Sequence, residues 1–240
     1  MNHDARPIGR ISEIWRYPVK SMRGESIERA ELCWIGIAGD RQYAFVRSTS
    51  HERSPWLTGR DLSDLVTYKA EYADPTDPRR SGVAITAPDG EAFDIWGEAL
   101  ARRIGEKAAE PVHAMQLGRG AFDQHPVSVI TTATLRRLSE CAGWEIDPRR
   151  FRIIVVIAEV PGAPLESAWN GRTLSFGETA AVRIDEPVSR CIMVTIDPDS
   201  AVRDPKVMRV VAQDFDNKIG LYCAPIALGE IAVGDLVRLG

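Results

Sequence analysis

Residues 180–196 read AAVRIDEPVSRCIMVTI: two apolar runs, 180–184 and 192–196, flank a bend that carries Ser189-Arg190-Cys191. Short apolar runs of this kind predict strands, and the Glu186-Pro187 step predicts a turn between them. Arg190 places a positive charge beside Cys191, which favours thiolate over thiol. Thiolate is the form that attacks electrophiles and binds soft metals. The plainer reading makes Cys191 a small buried hydrophobe, as most unpaired cysteines are.

Working outward, the same short-strand signature recurs at residues 11–17, 30–35, 43–47, 83–86, 91–95, 112–116, 127–130, 173–176, 219–224 and 236–239. Pro88-Asp89-Gly90 predicts a hairpin turn, and the glycines of Gly36-Ile37-Ala38-Gly39-Asp40-Arg41 permit a tight one. Residues 151–157 form a continuous apolar run, as expected of a strand buried on both faces. Helices are predicted over 97–105, from an N-cap at Thr132 with Leu135 and Leu138 on one face, and over 204–212 with Val207, Val210 and Val211 inward. Residues 74–82 read as a solvated loop, and a second unit starts near Asp123. Many short strands with few helices predict a mainly β, β-barrel protein rather than a βαβ sheet.

The 240 residues suffice for one large or two small domains, at 44% hydrophobic and 27% charged. A formal charge of −4 gives no general reason to bind nucleic acid. Cys33, Cys141, Cys191 and Cys223 show no C-x-x-C pairing, which argues against a structural zinc, an iron–sulfur centre or a disulfide framework. The polar residues 1–10 predict no signal peptide, and the longest aliphatic run, 153–158, is too short to cross a bilayer. The expectation is a cytoplasmic protein without a membrane partner. No nucleotide-binding glycine loop occurs.

Four polar clusters accompany Cys191. Lys20 and Ser21 follow the strand-ending Pro18 and form a compact donor set suited to phosphate, or a solvated turn. Arg41, after a glycine turn, offers a guanidinium fork for an anion or a surface pair with Asp40. Arg149, Arg150 and Arg152 flank Phe151, and Arg152 leads into the most apolar run of the chain, close to a buried strand end. His125, in Asp123-Gln124-His125-Pro126, reads as a hydrogen-bonded loop residue. A Cys–His pair would require His3, His51, His113 or His125 near Cys191; sequence places none of them there and leaves His125 open.

Taken together, Tyr17-Pro-Val-Lys-Ser21, Gly39-Asp-Arg41, Leu57-Thr-Gly-Arg60, Phe151-Arg152, Leu165-Glu166 with Trp169, Ser189-Arg-Cys191, Asp197-Pro198-Asp199 and Val233-Gly234-Asp235 run in an order that resembles the MOSC family, the molybdenum-cofactor sulfurase C-terminal domain with its N-terminal β-barrel partner. The resemblance implies an N-terminal barrel domain over 8–118 and a MOSC domain over 122–240. It implies a molybdenum–molybdopterin cofactor, a pterin dithiolene carrying a phosphate, with Cys191 as the metal ligand and catalytic centre. Lys20, Ser21, Arg41, His125 and Arg152 would hold the pterin and its phosphate, while Ser189 and Arg190 line the site around the metal. Reduction of N-hydroxylated or N-oxygenated small molecules would follow, with electrons from a separate ferredoxin- or flavoprotein-like carrier. The rival is a sulfur carrier holding a persulfide on Cys191, and a third reading is a domain that only binds the pterin. The chain departs from the family where Ile153-Ile154 replaces Pro-Asn, where Gln124-His125 replaces two hydroxyl residues, and where Ser167 replaces an acid.

Overall fold

The computed structural model describes residues 5–50 and 54–240. His3 and His51 lie outside the described residues. The first part of the chain supplies β1 (Arg6–Arg16), β2 (Glu25–Ile27), β3 (Arg29–Cys33), β4 (Gly36–Ile37), β5 (Tyr43–Arg47), β6 (Lys69–Tyr72), β7 (Val83–Thr86), β8 (Ala92–Asp94), α1 (Glu98–Ala108) and β9 (Val112–Gln116). The remainder supplies β10 (Val127–Thr131), α2 (Thr132–Ala142), β11 (Val155–Glu159), β12 (Thr173–Phe176), β13 (Ala180–Ser189), α3 (Pro205–Phe215), β14 (Lys218–Ala227), β15 (Gly229–Ala232) and β16 (Leu236–Leu239).

Seven strands close into a barrel in the order β11-β10-β14-β13-β12-β16-β1, with β1 returning to β11 and β2 added outside β1. The strand that closes it is thus the first in the chain. Ile8, Ile11 and Ile14 of β1 are all buried, although their odd spacing would put neighbours on opposite faces of a regular strand. Register shifts between Pro7 and Gly9 and between Ile11 and Glu13 supply the extra residues that bring them to one side. They meet Trp169, Leu174, Phe176, Val182, Leu221 and Val237 in the barrel interior. Cys223 also lies there, and burial pushes its thiol up, so it stays protonated and unreactive.

Outside the barrel, Leu138 of α2 and Val207, Val210 and Val211 of α3 pack with Ile130, Val156 and Ile219. This second layer buries β10 completely and Val155, Val156 and Ile157 of β11 on both faces, as the apolar run predicts. The first part of the chain has its own core, in which Phe45, Tyr68, Ile85, Leu100 and Ile104 join the β5–β9 pair, the β6-β7-β8 sheet and α1. The two parts are sewn together by the sheet β15-β3-β4 and by Arg203, whose Nη2 donates to the carbonyls of Gly59 (3.0 Å) and Arg60 (2.9 Å).

Several expectations need correction. Residues 192–196 are not a strand: Ile192–Thr195 is a 3-10 turn in which Thr195 Oγ1 donates to the Ile192 carbonyl at 2.7 Å. Short apolar runs do not distinguish the two by periodicity. Pro187 does not end its strand, because β13 continues to Ser189 through register shifts on either side of the proline. The run 151–157 becomes strand only at Val155, after a 3-10 turn over Pro148–Phe151 and a left-handed Arg152. The cap of α2 is Thr131, whose side chain accepts from Thr134 N, rather than Thr132. The sequence pattern also missed β2, β6 and β15, each at most four residues long.

Gly9 lies on the closing seam, where a Cβ would stand 2.3 Å from the Ala158 carbonyl oxygen of β11. Gly9→Ala is expected to lower stability by about 1–3 kcal/mol through overpacking, read as a lower urea midpoint. An unchanged midpoint would mean that the seam relaxes without cost.

Candidate anion and thiolate site

A pocket of about 110 Å³ lies between the two parts of the chain and brings together Cys191, Lys20, Ser21, Arg41, His125, Arg152, Ser189 and Arg190. Every site residue expected from the sequence lines it. Cys191 is exposed there and free of any disulfide.

The end of β1 builds one wall. Val19 bridges to Tyr43, and Lys20 N donates to the Tyr43 carbonyl at 2.8 Å, which turns Lys20 and Ser21 into the pocket. The Gly39-Asp40-Arg41 turn packs behind it, with Arg41 N donating to the Tyr17 carbonyl at 2.6 Å. Gly39 is required here: its φ is +83°, and a Cβ would stand 2.7 Å from Pro78 and 2.8 Å from Tyr72. Seven described non-glycine residues have positive φ, and three of them, Ser21, Arg41 and Arg152, line this one pocket. Left-handed backbone at ordinary residues costs of order 1–3 kcal/mol each and concentrates at functional sites.

The electrostatics are lopsided. Arg41 pairs with the buried Asp40 through Nη1 and donates from Nη2 to the Arg152 carbonyl at 2.9 Å. The guanidinium carbons of Arg41 and Arg152 lie 4.7 and 4.2 Å from the centre of the Tyr17 ring, so both cations pack against the same aromatic side chain. Burial raises the Tyr17 phenol to about 12, keeping it neutral. Arg190 is held by backbone: its Nε donates to the Ile219 carbonyl and its Nη1 to the Phe151 carbonyl, both at 2.8 Å. Arg150 reaches the Thr195 carbonyl at 2.9 Å and Asp197 at 2.8 Å.

Among the described residues, Arg60, Arg152 and Arg190 have no carboxylate within salt-bridge distance, and Arg152 Nη2 is buried with no hydrogen-bond partner. Burial pushes both Arg152 and Arg190 down to about 10. Burying a cation without its counter-charge is costly, so the arrangement is suited to an incoming anion.

Two of the expected residues have close partners within the protein. His125 lines the pocket, but its Nδ1 faces Asp185 at 3.2 Å and its Nε2 faces Glu186 at 3.4 Å, with the ring against Tyr222. Each ring nitrogen thus has a carboxylate close by. The guanidinium of Arg190 is largely spent on carbonyls, so it fixes the Cys191 turn as much as it charges the pocket. Sequence reasoning did not assign Arg60, Ser128, Arg150 or Tyr222 to the site, yet all four line it. Ser128 had a signal, a lone hydroxyl in an apolar strand; its Oγ accepts from Ile154 N at 3.2 Å. Tyr222 had none.

The fold is therefore a β-barrel protein whose two parts share one basic pocket around a single exposed thiol. The MOSC domain family matches residues 101–238 and the MOSC N-terminal beta barrel domain family matches residues 8–131, so the chain belongs to the MOSC family. It is 23% identical to the bovine (Bos taurus) mitochondrial amidoxime reducing component 2, over 96% of this chain and 83% of that protein. It is 24% identical to the mouse (Mus musculus) mitochondrial amidoxime-reducing component 1, over 97% of this chain and 82% of that protein. Among solved structures, the YUAD protein of Bacillus subtilis has the same fold, with a TM-score of 0.53 and 14% identity, covering 97% of this chain and 95% of that one. No helix among the described residues is long and apolar enough to cross a membrane.

Arg149 and Arg23 converge on Asp199 beside the pocket, with Arg23 Nη2 at 2.7 Å from it. The hydrogen bonds from Arg149 hold the Asp199 carboxyl below the usual range, helped by the charges of Arg149 and Arg23. A depressed carboxyl contributes stability above its unfolded value, about 3.9, and loses it as pH falls through the lowered folded value. The drop in urea midpoint between pH 7 and pH 3 should therefore be smaller in Asp199→Asn than in the wild type. Equal drops would remove the pair from the acid response.

Proposed function

We propose that this protein binds a molybdenum–pterin cofactor through Cys191 and reduces N-hydroxylated or N-oxygenated small molecules. The observation that carries the reading is the meeting of one exposed thiol with two half-buried arginines, Arg152 and Arg190, that lack carboxylate partners. The similarity to amidoxime-reducing components supports the same class of chemistry.

The residues present fit such a group. Among the described residues no cluster of three or more His, Cys, Asp or Glu side chains could hold a metal ion. Cys191 alone would then supply one soft ligand, and the pterin dithiolene the others. The orphaned Arg152 Nη2, the Arg41 fork and the Ser21 hydroxyl would take the phosphate oxygens, since charge-assisted bonds to guanidinium are the strong ones. When bound, the cofactor supplies two-electron chemistry at nitrogen–oxygen bonds. Each N–O bond broken consumes two electrons and two protons and releases the oxygen as water, leaving N–H from an N-hydroxyl group and a free amine lone pair from an N-oxide. A separate ferredoxin- or flavoprotein-like carrier would provide the electrons. The protein's own part is to anchor the anionic tail, present Cys191 at the turn fixed by Arg190, and leave the mouth beside Ser189 open to a small substrate.

Three measurements test this. Protein from a cofactor-competent host should carry molybdenum, and Cys191→Ala should lose most of it; equally negligible metal in both would end the ligand role. If mass spectrometry of alkylated protein found one additional sulfur on Cys191, the persulfide carrier would be favoured instead. Cofactor-free Arg152→Met should bind inorganic phosphate about tenfold or more weakly than wild type, the loss of a charged hydrogen bond being worth roughly 1.5–3 kcal/mol. Unchanged affinity by calorimetry would remove Arg152 from the anion site.

A further inference from the structure

The pocket already contains an anion of its own. Asp123 is the one carboxylate among its lining residues, which otherwise include six lysine and arginine side chains. Its Oδ1 accepts from Lys20 Nζ at 2.8 Å. The pair is uneven: the Lys20 side chain is 10% exposed, while that of Asp123 is 72% exposed. The cation is thus a fixture of the wall, and the carboxylate reaches it from solvent. Lys20 keeps a second anchor independent of the acid, the Ala121 carbonyl at 2.7 Å.

The loop that bears Asp123 is stitched down just before it. Leu117 N donates to the Gln42 carbonyl at 2.7 Å, and Ala121 N to the Arg41 carbonyl at 2.8 Å. The Phe122 ring lies 6.0 Å from the Arg41 guanidinium carbon. These bonds tie the stem of the loop to the Arg41 turn. Beyond them the Asp123 side chain can rotate off Lys20 without breaking these backbone hydrogen bonds of the stem.

We infer that Asp123 is a built-in competitor for the anion site: its carboxylate occupies Lys20 in the free protein and must leave when a phosphate-bearing ligand enters. The inference rests on the anion-binding reading above and adds an affinity-setting residue to it. A carboxylate bound to Lys20 blocks one donor directly, and its charge opposes the approach of any phosphate to Arg41 and Arg60. Asp123 therefore weakens binding of the tail, in contrast to a merely structural ion pair, whose removal would disorder Lys20 and weaken binding further.

The test is calorimetric titration of inorganic phosphate into cofactor-free wild type, Asp123→Asn and Arg152→Met, with urea midpoints to verify folding. Asp123→Asn is nearly isosteric and lies on the surface, so it should fold as the wild type does. It should bind phosphate about tenfold more tightly, equivalent to ~1.4 kcal/mol, and Asp123→Ala should do the same. If both Asp123 variants bind as weakly as wild type or more weakly, while Arg152→Met lowers affinity, the anion site stands and the competitor role is overturned. If Arg152→Met changes nothing and no protein binds phosphate, the anion site itself falls, and the role of Asp123 with it.

Discussion

The structure depends on where β1 goes. Its eleven residues lie between β16 and β11 and complete the barrel, so the first strand of the chain belongs to the wall built by the last. The same strand ends at the pocket, delivering Tyr17, Lys20 and Ser21 to the side of Cys191. Closing the barrel and assembling the site thus depend on the same strand. This explains how residues more than 150 positions apart reach one cavity without a flexible linker setting the distance.

Around that junction the charges are arranged against their own solvation. Tyr17 gives the Arg41 and Arg152 guanidiniums an apolar surface to rest on, and backbone carbonyls of Ile219 and Phe151 hold Arg190. Aromatic faces and carbonyl dipoles soften the cost of burying cations but do not cancel the charge. The positive potential that remains is directed at whatever enters beside the thiol. Three left-handed backbones at Ser21, Arg41 and Arg152 indicate that the arrangement is held by the surrounding packing rather than by local preference.

Much of this was legible in the sequence because the chemistry is carried by residue types that are informative alone. Cys191 beside Arg190, Lys20 beside Ser21, and Arg41 after a glycine turn each narrowed the possibilities, and their order along the chain gave the family. The barrel was legible from short strands and turns. What could not be read were features set by tertiary context. The 3-10 turn after Cys191 has the composition of a strand, and β13 passes through Pro187 because register shifts accommodate the proline. His125 read as a hydrogen-bonded loop residue, but sequence could not show that its neighbours would be Asp185 and Glu186, on a strand distant along the chain. Tyr222 reaches the pocket only because β14 lies beside β10 and β13.

The position of β1 also bears on how the molecule can be divided. The two family matches overlap over residues 101–131, yet a fragment beginning near residue 120, within that overlap, would keep six of the seven staves and lose the one that joins β16 to β11. Two raw edges would then face solvent, one of them the apolar strand Val155–Glu159, and unpaired edges of this kind invite pairing with other chains. The C-terminal half excised alone would be expected to elute from a sizing column as aggregates rather than as a monomer.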